Sequence, residues 1–249
     1  MGPVFDPCRV RFISFDCYGT LIDWERGILA GLRRVRALAG EDGPDDATLI
    51  AWFSEAERKF ERPARSEGRS GHRLYREVLR CVLREIVERA GGAASAEEIE
   101  SFAGSVGDWP AFADTPTALE RLSRHASLVI VSNVDDDLFA RTRRHLEPAG
   151  PVLSEIITAE QVGSYKPGRA HFEELLRRTG ARPDEILHAA ESIYHDHEPA
   201  NAMGLATVWI DRRGERGPGA SGCGVTGTAP AVKFGSLAEL AEVFDRRGA

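Results

Sequence analysis

The stretch Arg11-Phe12-Ile13-Ser14-Phe15-Asp16-Cys17-Tyr18-Gly19-Thr20-Leu21 decides the fold of this chain. Its apolar residues predict a buried strand at Phe12–Phe15, which stops at a carboxylate and is followed directly by a glycine turn. Open α/β sheets bind ligands at the ends of their strands, so Asp16 lies where a functional group is expected. Burying a carboxylate is costly unless a partner offsets its charge, so we expect a partner close to Asp16.

The rest of the chain alternates strand and helix patterns. Apolar runs predict further strands at Leu128–Val131, Ile186–Ala190 and Thr207–Ile210. Helical patterns lie between and around them, at Thr117–His125, Asp136–Leu146 and Ala170–Thr179. Strands that alternate with helices are typical of α/β proteins, so we expect a doubly wound parallel sheet, a Rossmann-like core.

A long middle segment differs from the rest because it carries amphipathic helical patterns and no convincing strand. Leu49–Phe60 and Leu74–Arg89 show the clearest helical spacing of apolar residues. We interpret residues 24–106 as an all-helical insertion, and residues 1–23 and 107–249 as the α/β core. An insertion that leaves the sheet at the strand ends can act as a lid over a site there.

Composition excludes several classes of partner. The formal net charge of −7 argues against nucleic acid, and no apolar run approaches the ~20 residues of a membrane span. The first residues lack the basic and apolar pattern of a secretory signal. The four cysteines are scattered without the Cys-x-x-Cys spacing of zinc sites. We therefore expect a cytoplasmic protein with reduced thiols and no nucleic-acid or membrane partner.

Polar residues follow the predicted strands where these end. They are Asp16, Ser132, Asn133, Lys166, Glu191 and Asp196. The ends of parallel strands converge on one crevice, so Asp16 is a candidate nucleophile and Lys166 its counter-ion. An ammonium group a few Å away lowers the pKa of a carboxylate, so we expect Asp16 to stay ionised.

Four segments with this order and spacing resemble the four motifs of the haloacid dehalogenase superfamily. They are Asp16-Cys17-Tyr18-Gly19-Thr20-Leu21, Ser132-Asn133, Tyr165-Lys166-Pro167 and the acidic loop from Glu191 to Asp196. The resemblance implies that Asp16 forms a covalent ester and that Thr20, Ser132 and Lys166 support it. It also implies that the helical insertion is the cap domain of that family.

The residue two positions after the nucleophile distinguishes two reactions. Phosphatases of the superfamily have an aspartate there as general acid/base, whereas this chain has Tyr18, whose ordinary pKa of about 10 makes it a poor substitute. Halide leaves without a proton, and the segment around Tyr18 resembles the L-2-haloacid dehalogenases. That resemblance implies a small anionic 2-haloacid as substrate, Tyr18 and Asn133 as substrate or halide contacts, and Asp196 as the group that helps to activate water. It implies no cofactor.

Four positions depart from the dehalogenase pattern. Phe53 stands where those enzymes carry an arginine that holds the halide or substrate, just after a tryptophan that matches Trp52. Glu191 and Ile193 replace a serine and an asparagine of the fourth motif, and Phe172 replaces a tyrosine.

The insertion offers other residues that can bind substrate. Arg62 or Arg65 can replace the missing arginine and bind a carboxylate, although a basic cluster of this kind is more often a solvated face. Trp52 can line an apolar lid pocket, and packing in the core is the alternative. The resemblance also allows a homodimer.

Glu191 keeps a second reaction open. With Asp16 and Asp196 it would place three carboxylates in one crevice, and like charges ~4 Å apart repel by about 4 kcal/mol at an effective dielectric constant of about 20. A Mg²⁺ ion bound by these three residues would offset that repulsion, as in the metal-dependent phosphatases of the superfamily. The alternatives are therefore a magnesium-dependent phosphatase of a small metabolite and an inactive binding protein on the same fold.

Overall fold

A computed structural model of the chain describes residues 5–40, 43–61, 72–214 and 232–246. Its strands are β1 (Phe12–Phe15), β2 (Ser127–Ser132), β3 (Leu153–Thr158), β4 (Ile186–Ala190), β5 (Ala206–Ile210) and β6 (Lys233–Phe234). They form one parallel sheet in the order β3-β2-β1-β4-β5-β6. The order reverses direction between β1 and β4, which is where doubly wound sheets bind their ligands.

The central strands are apolar because both faces of the sheet are covered. In β2, Leu128 and Ile130 pack into one hydrophobic cluster, whereas Val129 and Val131 pack into a second cluster on the opposite face. All five residues of β4 are buried. This two-sided burial explains why these strands read as continuous apolar runs rather than as alternating patterns.

The sequence predicted β1 and β4 with their observed bounds, and the α/β class with a doubly wound parallel sheet is confirmed. Two strands were missed. The strand β3 lies at one edge of the sheet and has exposed Ser154 and Glu155 within it, so its apolar run is broken. The other missed strand, β6, has only two residues and gives no pattern.

The described chain contains ten α-helices. They are α1 (Trp24–Leu32), α2 (Asp46–Glu61), α3 (Tyr75–Arg89), α4 (Ala96–Ala103), α5 (Thr115–Leu122), α6 (Asp136–Leu146), α7 (Ala159–Val162), α8 (Ala170–Thr179), α9 (Glu198–Ala202) and α10 (Leu237–Asp245). Short 3₁₀ turns lie at Arg36–Leu38, Ser105–Asp108 and Pro183–Glu185, and a π-helical turn lies at Ile193–His197. These counts refer to the described part of the chain.

The middle segment is helical wherever the structure describes it. Helices α1 to α4 follow β1, and the described residues of the segment 24–106 contain no strand. The chain leaves and re-enters the sheet region side by side, because the amide of Asp23 donates to Pro110 O at 2.8 Å and Ile22 forms a bridge with Ala111.

Polar contacts fix the middle segment above the strand ends. Asp135, in the loop after β2, accepts hydrogen bonds from the amides of Tyr75 at 2.7 Å and Arg76 at 2.9 Å. A carboxylate at the N-terminus of a helix satisfies free amides and interacts favourably with the helix dipole. The hydroxyl of Tyr165 also donates to Arg73 O at 2.7 Å. Helix α3 is thereby held by the same edge of the sheet that carries Asp16.

Cys8, Cys17 and Cys81 form no disulfide bond with another described cysteine, and Cys223 lies outside the described residues. Within the described ranges, every helix is too short or too polar to span a bilayer.

Candidate active site

Asp16 lies at the end of β1 with both carboxylate oxygens bound. Lys166 Nζ donates to Oδ1 at 2.9 Å, and the Thr20 hydroxyl donates to Oδ2 at 2.8 Å. The Thr20 hydroxyl in turn accepts a hydrogen bond from the amide of Glu191 at 2.9 Å. The first and fourth motifs of the sequence are thus joined through one threonine side chain, and the partner that burial of Asp16 required is present.

Lys166 connects three groups at the strand ends. Besides Asp16, its ammonium group donates to Asp196 Oδ1 at 2.6 Å and to Val131 O at 2.8 Å. The lysine side chain is only 1% exposed. All three protons of the ammonium therefore have acceptors, and its position relative to Asp16 is fixed.

The two aspartates respond differently to this lysine. Burial raises the pKa of Asp16 above its ordinary value, and Lys166 offsets only part of that effect. Burial also acts on Asp196, but Lys166 and His188 outweigh it and hold the pKa of Asp196 below its usual range. Burial opposes the charge on Lys166, yet the two carboxylates raise its pKa. From the sequence we expected Lys166 to lower the pKa of Asp16. The lysine does lower this pKa, but burial raises it by more.

A buried chain of polar groups continues behind Asp196. His188 Nε2 lies 3.0 Å from Asp196 Oδ1, and His188 Nδ1 lies 2.9 Å from the hydroxyl of Ser14. Ser14 and His188 are fully buried in the neighbouring strands β1 and β4. Sequence reasoning missed both residues, although a histidine inside the apolar run Ile186–Ala190 was a signal.

The second motif contributes one positioning group and one free hydroxyl. Asn133 binds the backbone of Lys166 twice, because its Oδ1 accepts from the lysine amide at 2.8 Å and its Nδ2 donates to the lysine carbonyl at 3.2 Å. Ser132 is fully buried, and its hydroxyl has no hydrogen-bond partner among the described residues. The roles of both residues toward substrate remain predictions.

A cavity of about 700 Å³, open space included, lies over these groups. One side consists of Asp16, Ser132, Lys166 and Asp196, which we call the strand-end wall. The opposite side consists of Ser54, Glu57, Arg58 and Glu61 of α2, which we call the helix wall.

The helix wall follows from helical geometry. Its four residues stand at positions i, i+3, i+4 and i+7, so they share one face of α2. The Tyr75 hydroxyl donates to Glu57 Oε1, and burial raises the pKa of Glu57 to about 7. Burial, and then the neighbouring Glu57, raise the pKa of Glu61 well above its usual range. Sequence reasoning missed this wall.

The sequence predicted three substrate-binding residues in the insertion, namely Trp52, Arg62 and Arg65. Trp52 lies in a separate surface cavity beside Ala37, Pro44 and Ala90, because it stands about half a turn away from the face of α2 that carries the helix wall. Trp52 thus lines a different cavity from Asp16, and its role in binding substrate stays a prediction. Arg62 and Arg65 lie outside the described residues. Arg58 is the arginine of α2 that borders the cavity.

Phe53 and Tyr18 have well-defined surroundings. Phe53 is fully buried and its ring lies 6.0 Å from that of Trp24, so the position that carries an arginine in the dehalogenases is a core position here. Tyr18 borders the cavity, and its hydroxyl lies 2.9 Å from Thr142 Oγ1. Burial raises the pKa of Tyr18 well above its usual value.

The predicted metal ligands border the same cavity without forming a metal-binding group. Asp16, Glu191 and Asp196 all line it, but Lys166 Nζ lies between the two aspartates and supplies the positive charge there. Across the described ranges, no three His, Cys, Asp or Glu side chains are grouped closely enough to hold an ion. Magnesium at these three residues stays a prediction.

A family model described as haloacid dehalogenase-like hydrolase matches residues 10–204, which is most of the chain. The chain belongs to this hydrolase family. The match includes all four motifs, so the resemblance drawn from them is confirmed at the level of the family. The protein is therefore a hydrolase by family.

Individual relatives are distant. The chain is 24% identical to (S)-2-haloacid dehalogenase 4A of Burkholderia cepacia over 209 aligned residues. The aligned residues cover 82% of this chain and 84% of that enzyme. This chain is 36% identical over 61 residues to glyceraldehyde 3-phosphate phosphatase of Methanopyrus kandleri, covering 24% and 26% of the two chains. The solved L-2-haloacid dehalogenase from Xanthobacter autotrophicus superposes with a TM-score of 0.79 at 15% identity, over 95% and 98% of the two chains. These likenesses support the fold and leave the substrate open.

Proposed function

We propose that this protein hydrolyses the carbon–halogen bond of a small 2-haloacid through an ester on Asp16. The observation that carries the proposal is the state of Tyr18. This residue occupies the place of the general acid/base of the phosphatases, its hydroxyl is bonded to Thr142, and its pKa is raised by burial. Such a group is a poor proton donor to an alkoxide leaving group, whereas a halide needs no proton.

The reaction has two steps that balance. A carboxylate oxygen of Asp16 attacks the carbon that bears the halogen, a carbon–oxygen bond forms, and the halide leaves with the bonding electron pair. Water then attacks the carbonyl carbon of the Asp16 ester, which releases a 2-hydroxy acid, one proton and the free carboxylate. Lys166 and Thr20 hold the two oxygens of Asp16 before the first step, at 2.9 Å and 2.8 Å.

Asp196 is suited to orient the hydrolytic water. Asp196 borders the cavity, and its Oδ1 is held by Lys166 and His188. Its Oδ2 is buried and has no hydrogen-bond partner in the described part of the chain. Because Lys166 and His188 keep the pKa of Asp196 low, it acts as a charged acceptor for a water hydrogen atom. The similarity to (S)-2-haloacid dehalogenase 4A supports the same substrate class.

Halide release tests the proposal directly. We expect the protein to release chloride or fluoride from chloroacetate, fluoroacetate or 2-chloropropionate, and Asp16→Asn to lower the rate at least about a thousandfold. Asp46→Asn is the control, because Asp46 pairs with Arg33 on the protein surface. A single turnover in H₂¹⁸O should place the label in Asp16, as read by mass spectrometry. Release without a label in Asp16, or no release from any of the three acids, contradicts the proposal.

A second candidate is favoured by Glu191, which borders the cavity with Asp16 and Asp196. It is a magnesium-dependent phosphatase of a small metabolite, in keeping with the short match to a glyceraldehyde 3-phosphate phosphatase. Phosphate release that is lost with EDTA and restored with Mg²⁺ would select this candidate, whereas EDTA-insensitive halide release selects the first. Turnover of neither substrate class would favour the inactive binding protein.

A further inference from the structure

The helix wall carries more negative than positive groups. Among the described residues, five carboxyl side chains border the cavity, those of Asp16, Glu57, Glu61, Glu191 and Asp196, and two cationic side chains do so, those of Arg58 and Lys166. Lys166 already pairs with Asp16 and Asp196. On the helix wall itself, two glutamates therefore stand beside one arginine. This balance disfavours a ligand that carries only negative charge.

The two glutamates are costly in the absence of a ligand. They lie four residues apart on one helix face, which makes them neighbours. Burial raises the pKa of each of them, and Glu57 further raises the pKa of Glu61. A ligand cation between them would offset this repulsion.

Two buried hydroxyls independently indicate a polar ligand in the same cavity. Ser54 is 3% exposed and Ser132 is fully buried, and both border the cavity from opposite walls. Neither hydroxyl oxygen has a hydrogen-bond partner among residues 5–40, 43–61, 72–214 and 232–246. Buried polar groups in folded proteins are normally paired, so these hydroxyls are positioned to bind a molecule in the cavity.

We propose that the substrate is a zwitterion, a small haloacid that also carries an ammonium group, which binds between Glu57 and Glu61. This inference rests on the proposed function for the reacting end of the molecule. The carboxylate of the substrate faces Arg58, and the halogen-bearing carbon faces Asp16. The hydroxyls of Ser54 and Ser132 complete the binding of the polar groups along the cavity.

The binding of two unreactive probes tests the ammonium site without any turnover. Butyrate and 4-aminobutyrate share a chain and a carboxylate and differ in the ammonium group. By isothermal titration calorimetry, we expect 4-aminobutyrate to bind at least about tenfold more tightly, a difference of about 1.4 kcal/mol. Glu61→Gln and Glu57→Gln should each reduce this preference to less than about threefold while butyrate binds no more weakly.

Glu55→Gln is the matched control on the same helix. Glu55 pairs with Arg89 and its side chain is 63% exposed, so the preference for 4-aminobutyrate should persist in this variant. Equal or tighter binding of butyrate to the wild-type protein would overturn the inference. A preference that survives in both glutamine variants at Glu57 and Glu61 would overturn it as well.

A turnover comparison separates this inference from the proposed function. We expect enzyme-dependent halide release from 4-amino-2-chlorobutyrate with a kcat/KM at least about tenfold above that of 2-chlorobutyrate. If neither compound releases halide and 4-aminobutyrate still binds preferentially, the proposed function fails and the ammonium site stands. If 2-chlorobutyrate is the better substrate, the proposed function stands and the zwitterion is excluded.

Discussion

The two walls of the cavity treat charge in opposite ways. On the strand-end wall, Lys166 lies within hydrogen-bonding distance of Asp16 and Asp196, so opposite charges are paired. On the helix wall, burial raises the pKa values of Glu57 and Glu61, and the neighbouring Glu57 raises that of Glu61 further. A paired set of charges holds its geometry without a ligand, whereas a crowded set of like charges gains from one. We therefore expect the chemistry to take place at the strand-end wall and the helix wall to select the substrate.

The largest expected effect concerns the strand-end wall, where the charges are paired. Lys166→Met leaves two buried carboxylates without their counter-ion, so the free energy of unfolding at pH 7 should fall by about 3–5 kcal/mol. Urea denaturation measures this change. Lys59→Met is the control, because Lys59 is 61% exposed and its surface pair with Glu85 is worth at most about 1 kcal/mol. Equal losses in the two variants would mean that the strand-end wall is not held by its charges.

The next effect tests whether the hydrogen bonds behind Asp196, at His188 and Ser14, stabilise the strand-end wall. His188→Leu removes the hydrogen bond to Asp196 and leaves the Ser14 hydroxyl without its partner, so we expect a loss of about 2 kcal/mol in urea denaturation. His188→Gln places an amide donor near the former Nε2 and should recover part of that loss. If both variants lose the same stability, packing of the imidazole ring matters and its hydrogen bonds do not.

The strand-end wall could be predicted because simple rules place it. An apolar strand that ends in a carboxylate, repeated polar residues at later strand ends and a parallel sheet bring Asp16, Lys166 and Asp196 to one crevice. The structure has these three groups in contact. The direction of the pKa of Asp16 could not be predicted, since it depends on how completely the carboxylate is buried.

The helix wall could not be predicted for a physical reason. A polar stripe on a helix has the same sequence pattern whether it faces water or an enclosed cavity. Only the packing of α2 shows that Glu57, Arg58 and Glu61 face inward and that Trp52, half a turn away, borders a different cavity. The edge strand β3 was missed for a related reason, because its exposed polar residues resemble a loop.

A smaller effect concerns the helix wall and depends on pH. The pKa of Glu57 rises in the folded protein from its ordinary value of 4.5 to about 7. Between pH 4.5 and pH 7 the unfolded chain has released the proton of Glu57, whereas the folded protein still holds it. Glu57 therefore contributes its full stability below pH 4.5 and loses this contribution as the pH rises through 7. Relative to wild type, Glu57→Gln should therefore gain on the order of 1–2 kcal/mol between pH 4.5 and pH 8.

The control for this pH dependence has the opposite sign. Hydrogen bonding and charge from Arg89 lower the pKa of Glu55, so its carboxylate stabilises the folded state more as the pH rises. The stability of Glu55→Gln relative to wild type should accordingly fall between pH 3 and pH 7. Urea denaturation from pH 3 to pH 8 checks both variants, and a Glu57→Gln difference that does not change with pH would show that burial does not raise the pKa of Glu57.

The smallest expected effect lies at Ser14, the far end of the buried polar groups that lead from Asp196 through His188. Ser14→Ala removes the hydroxyl that lies 2.9 Å from His188 Nδ1 and should cost about 1 kcal/mol, because one buried polar atom loses its partner. Ser101→Ala, on the exposed face of α4, should change stability by less than about 0.5 kcal/mol. If the Ser14 link orients His188 toward Asp196, Ser14→Ala and His188→Leu are coupled, and the double variant should lose less than the sum of the single losses. Additive losses would mean that the histidine is held by its packing against Phe172, whose ring lies 5.0 Å away, and that the ordered polar chain ends at His188.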